Sequence, residues 1–165
     1  MVDVAVTEHD EAPPEDGEPI SPTCRVRFVT GPVRDVARVV ERLSTPSEML
    51  TTHPLLTRVE PTGERHEHGV HVIDFALVEQ VPVLGGLLRI SNRYRGRATR
   101  FDAHPQRVRL SGWSFPGVRI EVRFEVRDGQ LIETAWVAAP WFVRGFVHRT
   151  FIDAHRHLVQ AVLED

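Results

Sequence analysis

The sequence predicts an α+β domain: a bent antiparallel sheet of about seven strands around one long C-terminal helix, with two short helices after the first strand. Three observations predict it. Over residues 141–164, helical spacing at 100° per residue puts Val147, Phe151, Leu158, Val159 and Val162 on one side and Arg149, Asp153, Gln160 and Glu164 on the other. Between residues 55 and 138, alternating apolar and polar runs are separated by short Pro, Gly and Asp turn signals, the pattern of an antiparallel meander. Between the first strand and that meander, the apolar spacing is helical rather than alternating.

The elements follow in order. Residues 1–22 carry Pro13, Pro14, Pro19 and Pro22 with seven acids and no arginine, so they are expected to be a disordered acidic arm. The folded domain then spans 23–165. Cys24 to Val29 alternates as a strand, and Gly31-Pro32 breaks it. Pro32 is expected to open a helix, with Val33, Val36, Ala37, Val40 and Leu43 on one face. A second short helix should start at Thr45 as N-cap, with Pro46 first and Glu48 closing a capping box, and end at His53-Pro54.

Leu55 to Glu60 reads as a strand ended by Pro61-Thr62-Gly63, and Gly63 to Gly69 as an exposed turn. Strands follow at Gly69 to Gln80, Leu87 to Asp102 (bent at Gly96), Arg107 to Phe115, Val118 to Val126 and Leu131 to Ala138. Asp128-Gly129 is a strong hairpin dipeptide before the last of these, and Pro140 precedes the long helix.

Alternation assigns faces. Val118, Ile120, Val122, Phe124 and Val126 point inward, and so do Asn92, Tyr94, Gly96, Ala98, Leu110, Gly112 and Ser114. Residues 70–80 are apolar on both faces, with Ile73, Phe75 and Leu77 assigned inward, and Ile132, Thr134 and Trp136 are assigned inward on the last strand. An inner face with Asn92, Tyr94, Ser114 and Thr134 among small residues leaves volume unfilled and polar groups in need of partners. The sequence therefore implies a hollow domain with a polar-tipped interior.

Composition narrows the classes. All 20 basic residues are arginine, which fits a GC-rich bacterial genome and removes lysine Schiff-base and P-loop chemistry. Cys24 is the only cysteine, so neither an internal disulfide nor a cysteine metal cluster is available. A cytoplasmic protein without a membrane span is expected, since no run reaches roughly 18 apolar residues and no signal-peptide pattern opens the chain. The arginine rows on neighbouring strands form a basic outer face, but Glu121 and Glu125 interrupt it and no aromatic residues interleave, so nucleic acid is not expected as a partner. Trp113, on that outer register, leaves a homodimer open.

The order of strand, two short helices, about six antiparallel strands and a long closing helix resembles the START-like, polyketide cyclase-like superfamily (SRPBCC), the helix-grip fold. The resemblance spans about residues 23–165 and rests on Pro32 after strand one, Asp128-Gly129 before the last strand and Pro140 before the helix. It implies an apolar cavity between sheet and helix that binds a hydrophobic or aromatic small molecule. It also implies one of two roles, a cofactor-independent polyketide cyclase or dehydratase or a non-catalytic lipid or metabolite carrier. No catalytic motif transfers with it. The third alternative is an interaction module using the basic sheet face.

The ligand-binding candidates are Phe75, Asn92, Tyr94, Ser114, Trp136, Arg144, His148, Phe151 and His155. Of these, His155, His148 and Tyr94 are the catalytic candidates: a histidine titrates near neutrality and can move a proton, while a phenol can polarise a carbonyl. His148 and His155 lie two turns apart, roughly 10 Å along the helix, which suits two points on an elongated ligand better than one metal ion. His66, His68 and His71 are read as solvated turn residues, so no metal site is expected.

Overall fold

The computed structural model describes residues 3–7, 24–45, 47–48, 52–83 and 87–164. Eight strands and two helices follow in the order β1 (Asp3–Thr7), β2 (Cys24–Pro32), α1 (Val36–Ser44), β3 (Leu56–Glu67), β4 (Val70–Val83), β5 (Leu88–Phe101), β6 (His104–Ser114), β7 (Val118–Arg127), β8 (Gln130–Ala138) and α2 (Arg144–Leu163). They form one antiparallel sheet in the order β1-β2-β8-β7-β6-β5-β4-β3, so β3 to β8 are a continuous meander and β2 closes against β8. Tight turns make that meander possible. His68-Gly69 and Asp128-Gly129 each have both residues at positive φ, the two-residue hairpin geometry whose twist matches the flanking strands. No helix among the described residues is long and apolar enough to cross a membrane.

Four local expectations are corrected. Asp3–Thr7, within the segment expected to be disordered, pairs with β2; Val4 and Val6 alternate there, a local pattern that the acidic composition of residues 8–18 masks. The rest of the arm lies outside the described residues. Pro32 ends β2 instead of opening a helix. The Val33 N–H donates to Gly129 O at 2.7 Å, and α1 starts at Val36 because the Asp35 carboxylate accepts from the Arg38 N–H at 3.0 Å. The strand before His68 does not stop at Pro61: β3 runs to Glu67, with irregular register between Pro61 and Gly63. A proline is tolerated there because β3 is an edge strand. Of the second short helix, Ser47, Glu48 and Thr52 are helical, and the remainder lies outside the described residues.

The fourth correction concerns β8. Register pairs Val122 with Ala135 and Phe124 with Glu133, so Leu131, Glu133, Ala135 and Val137 face in. Ile132, Thr134 and Trp136 face out. Trp136 is held on the outer face between the Arg25 and Arg123 guanidinium groups, 5.7 and 5.9 Å from its ring centroid. The strand carries apolar residues at both parities, and the bulk of Ile132 and Trp136 misassigns it. Elsewhere the inward assignment agrees with the register: Phe75 pairs with Gly96, Leu77 with Tyr94 and Gly96 with Gly112.

The core is divided. The larger cluster lies where α1 and α2 cover β2, β6, β7 and β8, and includes Val26, Phe28, Leu43, Phe124, Leu131 and Val159. A much smaller one holds Phe75 and Ala98 of β4 and β5, with Leu56, Val59 and Leu77 against them. Leu110 touches both. Gly96 shapes the smaller cluster, since a Cβ there would lie 2.3 Å from Phe75 Cε2, so only glycine admits the ring. Several outer arginines are matched to carboxylates across strands: Arg109 to Glu121 at 2.8 Å, Arg107 to Glu125 at 2.9 Å, and Arg65 and Arg97 both to Asp74 at 2.6 Å. The charge of those four arginines is thereby balanced within the sheet itself.

Candidate functional site

The gap between the two clusters is a cavity of two chambers. The inner one, about 100 Å³, is walled by Leu43, Leu56, Phe75, Leu77, Leu110 and Val122 among others. The outer one, about 360 Å³, runs under the first half of α2, past Val81, Ile90, Val118, Val147 and Phe151. Both are bounded by His53, Glu79, Tyr94, Ile120 and His155. Four ionisable side chains therefore form a polar waist between two apolar spaces.

His155 is set by its helix and by the strand beneath it. It shares the buried face of α2 with Phe151, Leu158, Val159 and Val162, and is 8% exposed. One turn earlier, the Phe151 ring stacks on it at 3.8 Å and 24°. From β8, Glu133 points up at the ring and is fully buried, with its Oε1 2.5 Å from His155 Nδ1. With Nδ1–H donating to Oε1, the ring's tautomer and plane are fixed and Nε2 is the nitrogen left for a cavity ligand. Glu133 Oε2 has no hydrogen-bond partner among the described residues. Isolating a buried carboxylate costs several kcal/mol, so His155 and Glu133 hold each other in place.

Across the waist, the His53 ring meets His155 edge-on at 5.8 Å between centroids. Burial, then the charge of His155, hold the His53 pKa down at about 3, so its imidazole is neutral. Glu79 is half-buried on β4. Burial pushes its carboxyl up to about 7, against the opposing pull of His155 and a hydrogen bond with Tyr94. Burial and the neighbouring Glu79 charge push Tyr94 well above the usual phenol, so it stays a neutral O–H donor. Asn92 and Ser114 flank that hydroxyl and favour its ionised form, though Ser114 Oγ, itself buried, reaches no hydrogen bond of ordinary geometry.

Of the residues chosen from sequence, Phe75, Asn92, Tyr94, Phe151 and His155 line the cavity, and Ser114 sits beside Tyr94. Arg144 is exposed at the first residue of α2, and the half-buried His148 lines neither chamber. One position of helical rotation separates His148 from Val147, which does line the outer chamber. Trp136 is on the other side of the sheet. His53, Glu79 and Glu133 were missed. His53-Pro54 reads as a helix stop, Glu79 sits in a segment without clean alternation, and Glu133 has the parity opposite to the one assigned. Glu79 had one signal, its place between inward Leu77 and Val81. Among the described residues, no group of three or more His, Cys, Asp or Glu is arranged to hold a metal ion.

The fold has solved counterparts. An aromatase/cyclase from Streptomyces sp. R1128 superposes with a TM-score of 0.61 at 16% identity, over 84% of this chain and 90% of that one. A protein from Thermus thermophilus gives 0.60 at 16% identity, over 85% and 93%. A STAR-related lipid transfer protein from Xanthomonas axonopodis gives 0.58 at 12% identity, over 96% and 98%. No protein-family model and no curated protein matches the chain. Sheet order, closing helix and these superpositions together give the chain the helix-grip fold, an antiparallel sheet wrapped around a long C-terminal helix, that these solved structures share.

Proposed function

We propose that the cavity binds an elongated, mainly apolar small molecule with a carbonyl or hydroxyl near its middle, and that the protein cyclises or dehydrates it without a cofactor. The observation that carries this reading is the Glu133–His155 pair at the waist, opposite Glu79 and Tyr94. Two apolar chambers suit the two ends of a ligand, and the outer volume of about 360 Å³ is within the range of small-molecule sites. In a cyclisation, His155 Nε2 would take a proton from a methylene beside a carbonyl, and the Tyr94 O–H would stabilise the enolate oxygen. The enolate carbon then bonds to a second carbonyl carbon of the same chain, and protonated Glu79 delivers its proton to the alkoxide formed. Return of the proton from His155 to Glu79 would reset both groups; His155 would then take a proton from the carbon beside the new alcohol carbon while Glu79 protonates the leaving hydroxyl, which departs as water. The aromatase/cyclase among the structural counterparts supports the reaction class, on fold alone.

A carrier without chemistry is the second reading, favoured by the mainly apolar walls of the inner chamber around Phe75 and Leu110. His155→Ala and Glu133→Gln separate the two when tested on a poly-β-carbonyl thioester and by native mass spectrometry. Loss of turnover with ligand mass retained supports catalysis. Turnover absent from the wild type, with ligand still bound, leaves the carrier.

A further inference from the structure

We infer that the mouth of the outer chamber is a docking surface for an anionic lipid bilayer. The chamber lining reaches solvent at Ile90, Phe115 and Phe146, all exposed, so its opening lies between the start of β5, the β6–β7 turn and the start of α2. Each segment presents large apolar side chains outward: Leu87 (84% exposed) and Leu88, Phe115 (90%), and Trp141 (83%) with Phe142. Trp141 and Phe142 touch edge-on at 5.8 Å, and Val143, next in the chain, lines the chamber. Burying such side chains is worth about 1.5–3 kcal/mol each, so leaving this many in water around one opening is costly unless something covers them.

Two observations choose a bilayer as the occupant. The first is charge. From Val81 to Arg95, the part of the chain at the mouth, there are Arg89, Arg93 and Arg95 and no Asp or Glu. Trp113 to Ile120 carries only Arg119, and Ala139 to Ile152 carries Arg144, His148 and Arg149, again without an acid. Sixteen acids are spread over the remainder of the folded domain, so their exclusion from all three mouth segments makes this end complementary to an anionic surface. The second is shape. The most exposed residues stand on separate turns, as protruding tips rather than a flat or grooved face. Tips of Trp, Phe and Leu suit a medium that yields around them, such as the headgroup and acyl boundary, while arginines stay with the phosphates. Docked this way, an apolar molecule would pass between bilayer and chamber without crossing water. That route rests on the ligand-binding reading above, whereas the docking does not.

The test is co-sedimentation of the full chain with vesicles of phosphatidylcholine alone or with about a third phosphatidylglycerol, which gives the surface a negative potential. Binding should require the anionic lipid and weaken with salt. Phe115→Ser with Trp141→Ser should weaken it by about tenfold or more while leaving the thermal melt unchanged, because both residues are exposed. Arg89→Gln with Arg144→Gln should weaken it by at least about tenfold at low salt. Equal binding to both vesicle types, wild-type binding by the serine variant, or capture by an acidic protein with no vesicle binding would each overturn the inference. Vesicle binding with an empty cavity by native mass spectrometry would keep the docking and refute only the ligand reading.

Discussion

Glu79→Gln should make the protein more stable, and by an amount that grows with pH. In the folded chain burial lifts the Glu79 carboxyl from 4.5 to about 7. Between those values the native state holds a proton that the unfolded state has released, so stability falls as pH rises through the window. At about 1.4 kcal/mol per pH unit, the full interval is roughly 3 kcal/mol, complete above pH 7 and absent below 4.5. Glutamine keeps the shape and can still meet the Tyr94 hydroxyl, so it removes that cost with little loss. For a chain of this size, roughly 3 kcal/mol corresponds to about 6–12 °C in Tm. Circular dichroism melts of both proteins from pH 4.5 to 8.5 give the difference directly. The variant should match the wild type at pH 4.5 and exceed it increasingly up to about pH 8. A Tm difference independent of pH, or one that shrinks toward pH 8, would refute the burial of this carboxyl in the apolar waist.

His53 should oppose this trend. Its imidazole is held at about 3, so acid lowers stability between roughly pH 6.5 and 3, and His53→Gln should flatten that limb of a Tm–pH profile. Gly96→Ala should destabilise by about 1–3 kcal/mol in urea titrations, since its Cβ would collide with the Phe75 ring and push it into the inner chamber; ligand affinity should fall with it. Asp35→Ala removes the N-cap of α1 and should cost about 1 kcal/mol by the same titration, with no effect on ligand binding. Glu133→Ala should cost more than Glu133→Gln, because alanine leaves His155 without a partner and opens a void beneath α2; the two midpoints compared give the sign.

The fold was legible because its signals are local and repeated. Val118–Val126 alternates without exception, Asp128-Gly129 supplies positive φ at the turn, and α2 shows one apolar stripe over twenty residues. The site was half legible. His155 was found because an ionisable group inside an apolar stripe is visible from helical spacing, and Tyr94 because β5 alternates. Glu133 was not, since a single strand has no internal reference for which parity faces in when both carry apolar residues. Only pairing with Phe124 on β7 and Phe28 on β2 decides it. Arg144 and His148 show the limit of the helical wheel. One step of rotation takes a side chain off the cavity: Val143 and Val147 line it, whereas Arg144 and His148 do not.

The division of the core has a consequence for how the protein opens. The β2, β6, β7, β8 side is held by both helices, whereas β3, β4 and the adjoining part of β5 rest on strand pairing and a small cluster around Phe75. That half is the less stable unit, and its amides should exchange with solvent at a lower opening free energy than those of β7 and β8. A molecule seated in the chambers would touch Phe75 and Leu77 on one side and Val122 and Leu158 on the other. It would serve as a keystone, joining two units that otherwise fluctuate separately and turning a graded opening into a single cooperative one.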